Sequence, residues 1–265
     1  MENKLACVPL ASPAGYALTA PEPPMPSQTV LNLDKRWYPT FEPNWDNRMF
    51  REMLAPHIDG SKKVLDYGCG RGHVAHMNFK GIAGFIAGID PDRAVFENPY
   101  LDEAKVLELP AGIIPYPDAS FDVIFADNVM EHVADPTTVF REIARVLKPG
   151  GRFLAKTPNR WHYMPLIASC TPTWFHKAVN KRRGREEHDT FPTCYQCNSR
   201  GAVAKHARNA GLEVGEVRLI EGRPEYLRFN GLTYLCGYIY ERVVNASSIF
   251  QGFRGVLFFE VIKPK

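Results

Sequence analysis

An α/β fold built on a parallel sheet covered on both faces is predicted by two features of the chain. Between Lys63 and Thr157, short apolar runs alternate with stretches whose apolar residues recur at helical spacing, as consecutive strand–helix units require. The first apolar run, Val64-Leu65-Asp66-Tyr67, then enters a turn rich in glycine, Gly68-Cys69-Gly70-Arg71-Gly72. Glycine there lets the chain turn sharply and lets a ligand approach the backbone. At 265 residues the chain suits one such domain with appendages.

The elements follow in order. Residues 1–34 are rich in Pro, Ala and Ser, include Pro21-Glu22-Pro23-Pro24-Met25-Pro26, and read as a flexible arm. Aromatic residues then cluster at Trp37, Tyr38, Phe41 and Trp45, before a helix expected over 47–58. The core is expected as a strand over 63–67, a helix over 73–80, strands over 85–89, 105–108 and 123–126, a helix over 137–147 and a strand over 152–157. In the last helix Val139, Phe140, Ile143, Val146 and Leu147 keep the spacing of a buried face.

The glycine turn carries the chemistry. A dinucleotide fingerprint, G-x-G-x-x-G, would set a pyrophosphate on a helix N-terminus. Here the spacing is G-x-G-x-G with Asp66 in front, and a carboxylate at that point suits a cationic ligand. This segment resembles the first motif of the class I S-adenosylmethionine-dependent methyltransferases, and four further segments in the matching order support the resemblance. They are Gly88-Ile89-Asp90, the stretch Ile114-Pro115-Tyr116-Pro117-Asp118-Ala119-Ser120-Phe121-Asp122, then Asp127-Asn128-Val129-Met130-Glu131-His132-Val133, and Leu147-Lys148-Pro149-Gly150-Gly151. The second is similar to the ubiquinone-biosynthesis-like branch and the third to the family's segment beside the methionine part of the cofactor, and the resemblance runs from about Lys63 to Thr157.

The resemblance implies a Rossmann-like seven-stranded mixed sheet in the order 3-2-1-4-5-7-6, with the last strand antiparallel and helices on both faces. It adds a helix near 199–210, a strand near 212–219 and a final strand near 256–262. It implies S-adenosylmethionine as cofactor, held around Asp66, Gly68, Cys69 and Gly70. Asp90, followed by Pro91, would accept hydrogen bonds from both ribose hydroxyls. Asp127 and Asn128 would meet the methionine end, their alternative role being to cap the next helix. After the third strand the chain departs from many relatives, so Glu108, or backbone at Ala111 and Gly112, is expected beside the adenine. Tyr38 and Trp45 are expected to close over the site.

The methyl acceptor is expected to be a small molecule, a specialised metabolite or a sugar, attacked through oxygen or nitrogen in an in-line displacement. Such a reaction needs alignment above all, and a base only where the acceptor must lose a proton early. His132 is the first candidate base, with His162 and His188 as alternatives; for His132 the competing reading is a residue that caps or packs a helix. Residues 158–200 and 225–248 are insertions assigned to the acceptor side or a lid, within a single domain over 35–265, and the second reads as helical. That second segment could rest on a membrane, cover a hydrophobic acceptor or form a homodimer contact.

Composition sets limits on function. A net charge of +3 is too small for a nucleic-acid stripe. The basic group Lys177, Lys181, Arg182, Arg183 and Arg185, diluted by Glu186 and Glu187, reads as a solvated face. No apolar span long enough to cross a bilayer and no leader pattern is visible, so a cytoplasmic protein is expected. The six cysteines are scattered, which favours reduced thiols. Cys194 and Cys197, with Cys170, His176 and His188 nearby, make a single C-x-x-C without a second pair, and no metal is expected. Two other functions compete: a nicotinamide-dependent oxidoreductase, disfavoured by the glycine spacing, and a regulatory protein that binds the cofactor without turnover.

Overall fold

Strand alternation dictates the two-sided core. In β1 (Lys63–Tyr67), Leu65 and Tyr67 point to one face and Val64 to the other, and all three are buried. The computed structural model describes residues 26–109, 112–170 and 193–265. Its seven strands, with β2 (Phe85–Asp90), β3 (Glu103–Val106), β4 (Phe121–Asp127), β5 (Leu147–Pro158), β6 (Glu213–Ile220) and β7 (Val256–Ile262), pair in the order β3-β2-β1-β4-β5-β7-β6. All pairs are parallel except those of β7, which runs antiparallel to both β5 and β6. The carboxyl ends of β1, β2, β4, β5 and β6 therefore open on one edge of the sheet. The order is the one implied by the resemblance.

Helices close each face for identifiable reasons. Asp135 caps α3 (Pro136–Val146) by accepting from the N–H groups of Thr137 and Thr138, Pro136 opens it, and Val139, Phe140, Ile143 and Val146 are buried. Phe140 packs with Phe153 and Phe259, and Val203 and Ala207 of α5 (Arg200–Asn209) join that cluster. On the opposite face α2 (Trp45–Leu54) buries Phe50 and Leu54 against Val64, Ile86, Phe125 and Phe258. The remaining helices are α1 (Gln28–Trp37), α4 (Tyr163–Cys170) and α6 (Gly231–Ala246). Asn230 and Thr233 form a capping box at the start of α6, which is the helical element expected over 225–248. Leu232, Leu235, Ile239 and Val243 make an exposed apolar stripe along it.

Four expectations need correction. Residues 28–34 are no arm: they form α1, capped by Ser27, with Val30 buried. Asp34 is also buried, 3.2 Å from Arg223 and hydrogen-bonded to Tyr234, and Trp37 stacks on Tyr238 at 4.3 Å. The helix over 73–80 is only a single 3-10 turn, Ala75–Met77. Gly72 and Gly81 both have φ near +80° and Val74 is extended, so the backbone leaves the helical region at both ends and within the stretch. Arg51 of α2 donates to the carbonyls of His76 and Asn78, fixing the turn in place of helical bonds. The third strand ends at Val106, so Glu108 lies beyond it in a turn closed by Gly112 N–H to its carbonyl at 2.9 Å. Cys194 is disulfide-bonded rather than reduced, so it cannot act as a thiolate ligand beside Cys197.

Candidate active site at the carboxyl edge of the sheet

The glycine turn is built by close packing. Gly68 has φ +78°, its N–H donates to Ile89 O at 2.8 Å, and a Cβ there would lie 2.3 Å from Val129 Cγ2. A Cβ on Gly88 would lie 2.3 Å from Leu101 and 2.6 Å from Cys69 Sγ, which brings β2 against the turn. Asn98 braces it from the β2–β3 connection, donating to the carbonyls of Cys69 at 3.2 Å and Gly70 at 3.3 Å. Gly70 differs: its φ is +49° and a Cβ there would meet nothing within 4 Å. Space opens at that residue for a ligand.

Carboxylates surround the opening. Asp90 ends β2, and its Oδ2 accepts from Gly70 N–H at 2.9 Å while its Oδ1 accepts from Asp92 N–H at 2.8 Å. Each oxygen keeps capacity for one more donor, the arrangement that a vicinal diol can use. Asp66 lies beside Gly88 of β2 and Phe125 of β4 in the sheet register. Burial, then Asp127 and Asp90, push its carboxyl well above the usual range. Its side chain is buried and accepts no hydrogen bond among the described residues. Burial also raises Asp127, against the pull of Lys156. A cation placed among these three groups would lower all of them.

Lys156 is the residue that sequence reading missed. It is 0% exposed on β5, with Nζ 2.8 Å from Asp127 Oδ1 and 2.8 Å from Asp46 Oδ2, and it also donates to Asn47 Oδ1. The contact to Asp127 is an ion pair, and it pulls that carboxyl down against the burial that raises it. The signal was present: Lys156 is a charge set at the end of the apolar run Phe153-Leu154-Ala155. Asn128, at φ +54°, follows Asp127 and donates its N–H to Lys156 O at 2.8 Å.

Beside this edge stands Glu131, raised by burial, accepting from Thr157 Oγ1 at 2.8 Å, with Asn198 donating to Thr157 Oγ1 at 2.6 Å. Cys194 and Tyr195 N–H groups donate to Glu131 O, docking residues 194–198 here. His132 lies in the turn after β4, its Nε2 3.9 Å from Glu131 Oε1. His162 is 3% exposed, with Nε2 3.4 Å from Glu221 Oε2 and its ring among Tyr163, Tyr226 and Tyr240. Asp66, Gly68, Cys69, Gly70 and Asp90, with Pro91 following, thus come together, with Asp127 and Asn128 at their flank.

Other candidates lie elsewhere. Glu108 is exposed in its turn and Gly112 is buried. Tyr38 donates to Glu241 Oε2 at 3.0 Å, which together with burial raises its phenol, and Trp45 packs over Gly222. Both line a cleft of about 430 Å³ above the end of β6. Ala111, His188, His176 and the basic cluster 177–185 lie outside the described residues.

This sheet order, with a carboxylate-ringed glycine turn at its carboxyl edge, defines a Rossmann-like nucleotide-binding fold of the methyltransferase type. A family described as a methyltransferase domain matches residues 65–155. A ubiquinone biosynthesis O-methyltransferase of Neisseria meningitidis serogroup A is 30% identical over 177 residues, covering 61% of this chain and 70% of the relative. A tRNA U34 carboxymethyltransferase of Colwellia psychrerythraea is 32% identical over 136 residues, covering 48% and 39%. Among solved structures, the YcgJ protein from Bacillus subtilis superposes with a TM-score of 0.51 at 18% identity, covering 82% of this chain and 98% of that one, a likeness of fold. The chain spans about half the length of the first curated relatives it matches, 43% and 53%.

The chain belongs to the class I S-adenosylmethionine-dependent methyltransferases. The cofactor of that family is S-adenosylmethionine, and the open space at Gly70, the spare acceptor capacity of Asp90 and the buried carboxyl of Asp66 fit a cationic nucleoside. No helix among the described residues is long and apolar enough to cross a membrane.

Proposed function

We propose that the protein transfers a methyl group from S-adenosylmethionine to an oxygen or nitrogen of a small-molecule acceptor, a specialised metabolite or a sugar, by in-line displacement. The observation that carries this reading is the row of carboxylates, Asp66 and Asp90 buried and Asp127 partly so, around an open glycine turn. Bound S-adenosylmethionine supplies an electrophilic methyl carbon on a sulfonium. In this reading Asp90 holds the ribose diol, Gly68 and Gly70 let the backbone approach, and Asp66 and Asp127 face the positive charge. Asn128 and the backbone of Cys69 complete that wall, and Glu108 with Gly112, in the turn after β3, is assigned to the adenine. Their sequence order along consecutive strands supports it, and we assign the insertions 158–200 and 225–248 to the acceptor side.

His132 serves as the base when the acceptor must lose a proton, because it follows β4 at the same edge as Asp127 and has Glu131 beside it. An oxygen nucleophile is supported by the likeness to the Neisseria O-methyltransferase. The Colwellia relative shows that the same domain serves an RNA-directed enzyme, but the small net charge here favours a small molecule.

Calorimetric titration of the purified protein with S-adenosylmethionine, S-adenosylhomocysteine and NAD tests the reading. Saturable binding of the two sulfur nucleotides and none of NAD is expected; NAD binding alone overturns it. Asp90→Ala should weaken S-adenosylmethionine about 10- to 100-fold, since charge-assisted hydrogen bonds of about 1.5–3 kcal/mol are lost; unchanged affinity removes the ribose assignment. His132→Ala should keep that affinity and slow turnover about 100-fold, the lower range of general-base contributions. Methylated acceptor formed at the wild-type rate would clear His132 of the role.

A further inference from the structure

The cleft between the α1–α2 connection, the β6 end and α6 contains a carboxylate with one buried oxygen that accepts no hydrogen bond. Trp37, Tyr38, Phe41 and Trp45 supply aromatic walls, and six charged residues line it. Arg48 lies 2.9 Å from both Glu42 and Glu52, and Arg223 lies 3.2 Å from Asp34 and 2.5 Å from Glu225 while its guanidinium stacks on Phe41. Glu241 accepts from Tyr38 at 3.0 Å and Asn245 at 2.7 Å, and Arg242 lies 3.2 Å from it.

Glu221 differs in that its ion-pair partner is a histidine, which carries charge only when protonated. Its side chain is 8% exposed, and its Oε2 is buried with no hydrogen bond. The nearest basic atom to Oε2, His162 Nε2, lies at 3.4 Å and is itself without a hydrogen bond. A buried carboxylate oxygen without a donor is costly, and a ligand that brings a positively charged donor relieves that cost. Aromatic faces beside it favour a cation as well as a flat apolar body.

The cleft also adjoins the proposed methyl-transfer edge. Trp45 lines it, and the next residue, Asp46, reaches Lys156, which in turn lies 2.8 Å from Asp127. We propose that this cleft is the acceptor subsite and that it takes a small aromatic or apolar amine, its ammonium set against Glu221 and its body between Tyr38 and Trp45. The assignment of the ligand as acceptor rests on the methyl-transfer reading above; the amine preference does not.

The test uses the whole chain saturated with S-adenosylhomocysteine and three probes of one shape: 2-phenylethylamine, 2-phenylethanol and 3-phenylpropionate, titrated by calorimetry. The amine should bind at least tenfold more tightly than the alcohol or the carboxylate. Glu221→Gln should weaken the amine at least fivefold and leave S-adenosylhomocysteine affinity within twofold. Equal binding of the three probes, no amine binding at millimolar concentration, or an unchanged amine affinity in a Glu221→Gln protein that still binds S-adenosylhomocysteine overturns the proposal. Should that variant fail to fold, the three-probe comparison in the unaltered protein decides alone. Amine preference without any S-adenosylhomocysteine binding would sustain the site and sink the methyl-transfer reading, whereas the reverse pattern would do the opposite.

Discussion

Asp66 shows how a single side chain ties protonation to ligand binding. Burial first, and Asp127 and Asp90 next, raise its carboxyl well above the ordinary range in the free protein. Between that range and the raised value, the folded chain keeps a proton that the unfolded chain has lost. This group's contribution to stability is therefore fully present at low pH and lost as pH rises through the folded value. A bound sulfonium lowers the same carboxyl, so S-adenosylmethionine should bind more tightly as pH rises across the window and should release a proton. Calorimetry in two buffers of different ionisation enthalpy measures that release directly; Asp66→Asn should remove most of it, and an undiminished release would place the proton elsewhere. The acid before the glycines and the glycines themselves were legible because chemistry and backbone geometry restrict those positions to few residue types. Asn98, which braces the turn from another loop, was not legible, since an asparagine carries no local sign of the distant carbonyls it will meet.

Among elements, α2 is held to the sheet by more than its apolar face. Asp46 and Asn47 in its first turn grip Lys156 of β5, which also neutralises Asp127 at the end of β4. Lys156→Met should cost about 3–5 kcal/mol in chemical denaturation, the penalty for stranding buried charge when one partner is removed. Adding Asp127→Asn should recover part of that loss; a double variant no more stable than the single would show that Asp46 carries the charge alone. Strand positions and the α3 helix were readable from apolar period and caps. The 73–80 segment was misread because its composition permits a helix while two glycines and the Arg51 side chain impose a turn. For α1, the proline-rich stretch before Ser27 masked a helix whose stability comes from tertiary contacts of Asp34 and Trp37 with the distant α6. Such contacts have no local pattern.

At the scale of the molecule, the seven-stranded order could be anticipated because five separate segments agreed with one topology, and each alone was weak. The cleft above the end of β6 was less legible: it is assembled from residues 37–48, 221–223 and 241–242, far apart in the chain. Because the nucleoside edge joins β1, β2, β4 and β5, its occupation should stabilise the whole sheet. S-adenosylhomocysteine at 100 times its Kd should contribute about 2.7 kcal/mol, raising Tm by about 5–10 °C for a chain of this size. Thermal unfolding with and without the ligand measures the shift, and no shift under saturation would mean that the edge is not where it binds. One further consequence follows from the single 3-10 turn that stands where a helix was expected after the glycines. Without a helix N-terminus aimed at the opening, and with three carboxylates around it, the site offers nothing to a triphosphate or pyrophosphate. Abundant phosphorylated nucleotides would therefore be poor competitive inhibitors, and the rate of methylation would follow the supply of S-adenosylmethionine rather than the energy charge around it.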